Sequence, residues 1–165
     1  MHRRPHLTAA PAVLLARGGA FLLASGLVVL LVGALAACSQ TPRPAPEAAS
    51  PACGKALAAA PRTVLGKART QLAVQGALAW GDPQIVVRCG VPALAPTTAQ
   101  CLDVNGIDWV VADPDADPIV FTLYGRSPAV DLSVPAAYGR SSAPGALVDV
   151  AGVAAALPTN GRTCR

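Results

Sequence analysis

Cys101-Leu102-Asp103-Val104-Asn105-Gly106-Ile107-Asp108-Trp109-Val110-Val111 decides the fold. Asn-Gly between β-rich flanks is the strongest short code for a hairpin, because both central residues of a type I′ turn need positive φ. In that register Val104 faces Ile107 and Leu102 faces Trp109, which makes an apolar face. The other face sets Asp103 opposite Asp108. Working outward, Gln84–Val91 (QIVVRCGV) alternates Ile85, Val87, Cys89 and Val91 on one side and reads as a strand. Ile119–Tyr124 places Ile119, Phe121 and Leu123 together. After the turn Gly125-Arg126-Ser127-Pro128, Ala129–Val134 returns with Val130, Leu132 and Val134 on one face.

Two helices flank these strands. Ser50-Pro51 is a helix N-cap followed by proline at the first helical position. Cys53, Leu57 and Ala60 then share a face, and Pro61 ends the run. Near the C-terminus, Leu147, Val150, Val153 and Leu157 share a helical face over 144–157, Ser142 is placed to cap it, and Pro158 stops it. Arg62–Ala79 has no clear period and reads as loop or weak strand. The order helix, strands, helix predicts an α+β domain: an antiparallel sheet of four to five strands with an N-terminal and a C-terminal helix.

Upstream, Ala20–Ala37 is eighteen residues without a charge, preceded by Arg3, Arg4 and Arg17. It ends in Leu35-Ala36-Ala37-Cys38, the pattern cut by the lipoprotein signal peptidase once the cysteine sulfur carries lipid. Residues 1–37 therefore read as a lipoprotein signal peptide and Cys38 as the lipidation site. An uncleaved N-terminal anchor is the alternative, since eighteen apolar residues also approach a membrane span. Either reading puts the rest of the chain outside the cytoplasm. A diacylglyceryl cysteine brings two acyl chains of the palmitate kind, enough for stable anchoring at about 0.8 kcal/mol per buried methylene. Residues 38–50, rich in Pro and Ala, read as a tether, and 51–165 as one exported domain.

Three of the 13 Lys and Arg residues precede Cys38, leaving ten against all nine acids, so the exported part is close to +1. The basic pI belongs to the signal, and nothing argues for nucleic acid as a partner. Beyond Cys38 four cysteines remain, Cys53, Cys89, Cys101 and Cys164. An even number outside the cytoplasm predicts two disulfides. Three pairings are possible; Cys89–Cys101, closing a short loop, and Cys53–Cys164, joining the domain ends, are favoured. Loop entropy gives about 3 and about 5 kcal/mol for these closures.

Both histidines, His2 and His6, precede Cys38. The exported part thus lacks the imidazole of Ser-His-Asp and Cys-His triads and of HExxH zinc sites. There is no CxxC, GxGxxG or Walker loop, and no cofactor is implied. Asp103 and Asp108 are the sharpest catalytic candidates, because like charges facing each other across a hairpin are destabilising unless wet, neutralised or bound to a cation. Arg88 or Arg126 could neutralise them. Asp113, Asp115 and Asp117 start like a calcium loop, but Pro118 and Tyr124 stand where glycine and glutamate are needed, so no metal is expected. Trp80 and Trp109 could line a ligand groove or anchor the core. Arg126 could grip a carboxylate or phosphate. Lys55, Arg62, Lys67 and Arg69 lie near the tether and could touch lipid headgroups.

Trp80-Gly81-Asp82-Pro83, Val87-Arg88-Cys89-Gly90-Val91-Pro92, the hairpin Cys101–Trp109 and Gly125-Arg126-Ser127-Pro128 together resemble the actinobacterial domain-of-unknown-function family 3515. The resemblance spans 51–165. It implies a secreted protein or lipoprotein of the cell envelope and carries no catalytic residues, since the family has no established activity. The resulting expectation is a lipid-anchored module that binds a small ligand or an envelope protein at the outer face of the cytoplasmic membrane. An Asp-dependent envelope enzyme and a structural accessory of an envelope complex are the rivals.

Overall fold

The computed structural model describes residues 41–164; the expected signal segment and Cys38 lie outside them. The fold is α+β, with one antiparallel sheet of eight strands rather than four or five. In chain order they are β1 (Thr63–Val64), β2 (Lys67–Thr70), β3 (Ala77–Trp80), β4 (Ile85–Val91), β5 (Gln100–Val104), β6 (Ile107–Val111), β7 (Ile119–Leu123) and β8 (Ala129–Val134). Their order across the sheet is β1-β2-β3-β4-β8-β7-β6-β5. Two meanders, β1 to β4 and β5 to β8, thus meet at a central β4–β8 seam.

The hairpin has the register its turn requires. Asn105 and Gly106 have φ of 57° and 75°. Val104 pairs with Ile107, Leu102 with Trp109 and Asp103 with Asp108. The stretch that reads as loop or weak strand holds β1 to β3, which are two to four residues long. β2 is mostly exposed, so no apolar alternation marks it.

Strand alternation divides the sheet into two faces. Ile85, Val87 and Cys89 of β4, Val130, Leu132 and Val134 of β8, Phe121 and Leu123 of β7, and Trp109 and Val111 of β6 are all buried in one core. The helices cover this side. α1 (Pro51–Ala58) packs on β4 and begins where expected, with Ser50 Oγ accepting the Cys53 N–H at 3.3 Å. The C-terminal helical stretch is broken into α2 (Gly145–Asp149) and α3 (Ala151–Ala155) by a non-helical Val150 (ψ 10°). Its apolar stripe still holds: Leu147, Val150, Val153 and Leu157 are buried. Ser142 is not the cap; Pro144 precedes the first turn, without a side-chain bond.

Both disulfide pairings differ from the favoured ones. Cys53 joins Cys89 (Cα–Cα 5.6 Å) and Cys101 joins Cys164 (Cα–Cα 6.2 Å). Strand order gives the reason. β4 and β5 are consecutive in sequence but four strand steps apart, about 19 Å at ~4.8 Å per step, far beyond the ~7 Å reach of a disulfide. Cys89 points into the core, where it meets Cys53 on α1. Cys101 lies on the edge strand, where the C-terminal tail crosses.

The fold also takes in part of the stretch read as a tether. Ala45 and Ala48 are buried, and the Glu47 N–H donates to the Gly90 carbonyl at 3.0 Å. Gly76 permits this approach: a Cβ there would stand 2.6 Å from Ala48 Cβ. Gly90, at φ 98° beside the register shift in β4, is pressed by Glu47 and Ala48 in the same way.

Candidate functional site

The face of the sheet away from α1 to α3 carries the polar residues. Its central row runs Ala77, Arg88, Asp131, Thr122, Val110, Cys101, each directly opposite the next on the neighbouring strand. Asp131 is the only buried charged residue among those described. Arg88 Nη2 donates to its Oδ2 at 2.7 Å, and Thr122 Oγ1 to its Oδ1 at 2.8 Å. A second Arg88 nitrogen reaches the Arg43 carbonyl, so the network also holds the entering segment. Each carboxylate oxygen has a donor, which satisfies a charge that would be costly to bury alone. Sequence reading passed over Asp131, although an acid in the middle of AVDLSV, between core-facing valine and leucine, was the available signal.

Asp103 and Asp108 do face each other, but each has another task. Asp103 Oδ1 accepts the Gly106 N–H at 3.2 Å and supports the turn. Asp108 Oδ2 accepts the Cys164 N–H at 2.8 Å and holds the C-terminal tail. Neither expected neutraliser reaches them. Arg88 is committed to Asp131, and Arg126 Nη1 donates to the Leu157 carbonyl at 2.7 Å, satisfying a carbonyl past the end of α3. Arg126 therefore positions the chain's own C-terminal helix.

The two tryptophans are core anchors. Both are at most 1 % exposed. Trp80 Nε1 donates to the Pro61 carbonyl at 3.2 Å, with the Arg69 guanidinium 5.6 Å above its ring. Trp109 Nε1 is buried without a protein partner among the described residues. The aspartates after β6 brace a loop. Asp113 Oδ1 accepts the Asp115 N–H and Asp117 Oδ1 the Ala136 N–H, both at 2.9 Å. Arg140 Nη1 donates to the Pro114 and Ala116 carbonyls. No group of three or more His, Cys, Asp or Glu that could hold a metal occurs among the described residues.

What the sequence did not suggest is an open cleft of about 630 Å³ beside β5 and β6. One wall is the loop 92–99 between β4 and β5; the other is the tail 161–164. Val110, on the floor, belongs to the same cross-strand row as Thr122 and Asp131. Tyr124, Thr97, Thr98, Arg162 and Thr163 line it, with the Cys101–Cys164 bridge. Arg162 Nη1 donates to the Leu94 carbonyl and so ties tail to loop. The covalent bridge and the Asp108–Cys164 bond fix the tail to β5 and β6, and the Arg162–Leu94 bond ties the loop to the tail. The volume lies in the usual range for small-molecule sites. Loops and a tail build the walls, and neither has a period to read.

No curated protein and no solved structure matches the chain. The model of a family described as a protein of unknown function, DUF3515, matches residues 22–161. That stretch covers most of the chain and contains the hairpin, both tryptophans and three of the four bridged cysteines, so the chain belongs to the DUF3515 family.

Proposed function

We propose that this domain is a binding module that holds a small ligand in the cleft between loop 92–99 and tail 161–164. In this reading lipidated Cys38 tethers it outside the cytoplasm, at the outer face of the membrane. The observation that carries the reading is the fixed cleft. The tail is bound to β5 by Cys101–Cys164 and to the loop by Arg162 and Leu94, so little ordering cost remains when a ligand enters. The Asp-dependent enzyme has less support, because Asp103, Asp108 and Asp131 all accept structural hydrogen bonds. The purely structural accessory has less support too. Val148 is the one large apolar side chain exposed among the described residues, and broad apolar docking needs a larger patch.

The test is native mass spectrometry of the full-length protein extracted from its own membranes in mild detergent. The expected result is a small-molecule adduct that disappears in Thr98→Trp, an exposed wall position where the indole fills the cleft. An adduct that persists in Thr98→Trp, or none in either protein, refutes the reading.

A further inference from the structure

Resting on the cleft reading above, the geometry points to an anionic ligand: a small molecule whose carboxylate or phosphate is gripped by Arg162. Among the described residues the lining supplies donors and one full positive charge, and no acid. Arg162 is not a loose surface side chain. Its Nη1 is fixed on the Leu94 carbonyl across the cleft, and its own backbone N–H is held by Asn160 Oδ1 at 3.1 Å. A guanidinium carries five N–H donors, and this one bond leaves the rest of the fork for a ligand.

Arg162 has no carboxylate partner among the described residues, where the single salt bridge is Arg88–Asp131. The acid tied to this tail, Asp108, accepts the Cys164 N–H with Oδ2 and is not among the lining residues. The remaining polar groups are hydroxyls. Thr97 Oγ1 already accepts the Ala99 N–H at 3.1 Å, which leaves its O–H to donate. Tyr124, only 9 % exposed, lines the cleft together with Val110. Its hydroxyl makes no protein hydrogen bond among the described residues. A donor-rich, acid-free rim over an apolar floor disfavours cations and fits an anion on a compact apolar body.

The experiment is a two-dimensional amide NMR titration of the full-length protein in detergent at fixed ionic strength. The probes are sodium phosphate, sodium benzoate and uncharged benzamide. The expected result is saturable movement of the Thr98, Tyr124 and Thr163 amides with phosphate, benzoate or both, and little with benzamide. Response to benzoate alone assigns a carboxylate, and response to phosphate alone a phosphate. Arg162→Gln should weaken the response at least about tenfold, the loss of one charge-assisted contact. Arg62→Gln, an exposed arginine outside the cleft, should leave it unchanged. Equal shifts with benzoate and benzamide, silence with both anions, or unchanged affinity in Arg162→Gln overturns the inference. The adduct test for the cleft is read separately: an adduct alongside silent anions retires the anion and keeps the binding site.

Discussion

The two disulfides should not contribute equally, and chain entropy alone gives the wrong order. Cys53–Cys89 closes 36 positions and Cys101–Cys164 closes 63. The loop-closure relation assigns about 3.8 kcal/mol to the first and about 4.3 kcal/mol to the second at room temperature. On that ground Cys101→Ala/Cys164→Ala should be the more damaging pair. Burial reverses the order. Cys53 and Cys89 are both 0 % exposed, between α1 and β4, so removing their sulfurs also leaves a void in the core. Cavity terms for losing small buried groups add about 1 kcal/mol per site, against a loop-length difference of about 0.5 kcal/mol. Cys53→Ala/Cys89→Ala should therefore cost about 6 kcal/mol and Cys101→Ala/Cys164→Ala about 4 kcal/mol. Domains of this size have only about 5–15 kcal/mol in total, so the first pair should abolish or nearly abolish folding. The second should leave a folded domain with Tm lowered by roughly 15 °C. Urea unfolding monitored by Trp fluorescence measures both. For the same reason limited dithiothreitol followed by alkylation should label the half-buried Cys101 and Cys164 well before the other two. Equal labelling rates, or a Cys101→Ala/Cys164→Ala variant that is the less stable of the two, would refute the burial argument.

Asp131→Ala strands Arg88 and Thr122 without their acceptor. Because the Arg88 side chain is 34 % exposed, the cost should be about 2 kcal/mol by chemical denaturation, below the 3–5 kcal/mol of a fully buried broken pair. Asp103→Asn keeps an acceptor for Gly106 N–H and removes a cross-strand repulsion, so a melting curve should show about 0.2–1 kcal/mol of stabilisation. In a deletion strain the same variant should complement fully; lost complementation with a folded protein would revive the Asp-dependent enzyme. Gly90→Ala places a methyl against the backbone of Glu47 and Ala48 at positive φ, and limited proteolysis should then cut within 43–50 faster than in the parent. Cys38→Ala should abolish incorporation of a fatty-acid probe; label that persists counts against the lipidation reading.

The parts of this fold that were legible are those whose signal is local. Asn105-Gly106 dictates its own turn, and the pairing of Leu102 with Trp109 follows by counting. β4, β7 and β8 announce themselves by alternation, because one face of each is in the core. β1 to β3 lie toward the other edge and are two to four residues long; β2 is mostly exposed and β3 is buried on both faces, so neither shows an apolar alternation. The disulfides were misjudged for a different reason. Cys89 and Cys101 are close in sequence, but the insertion of β8, β7 and β6 between their strands is a property of topology that no window of residues contains. The candidate site divides in the same way. An acid–arginine match between Arg88 and Asp131 was present on two recognisable strands, and only their adjacency was missing. The cleft, made where a loop and a tail happen to cross, left no trace in composition.

The central β4–β8 seam has a kinetic consequence. Val87 pairs with Leu132, 45 positions later (132 minus 87), whereas the other pairings of the sheet join strands consecutive in sequence. Each meander can zip locally and early, but the sheet closes only when its two halves meet at β4 and β8. Non-local pairings of this kind are formed late and slow folding. Until they form, β4 and β8 each present an unpaired, Val-rich edge to any other chain nearby. For a chain threaded N-terminus first, β4 is complete while β8 has still to emerge. The interval between those two events is when this protein is most exposed to aggregation, and a chaperone acting on it would be needed at that seam.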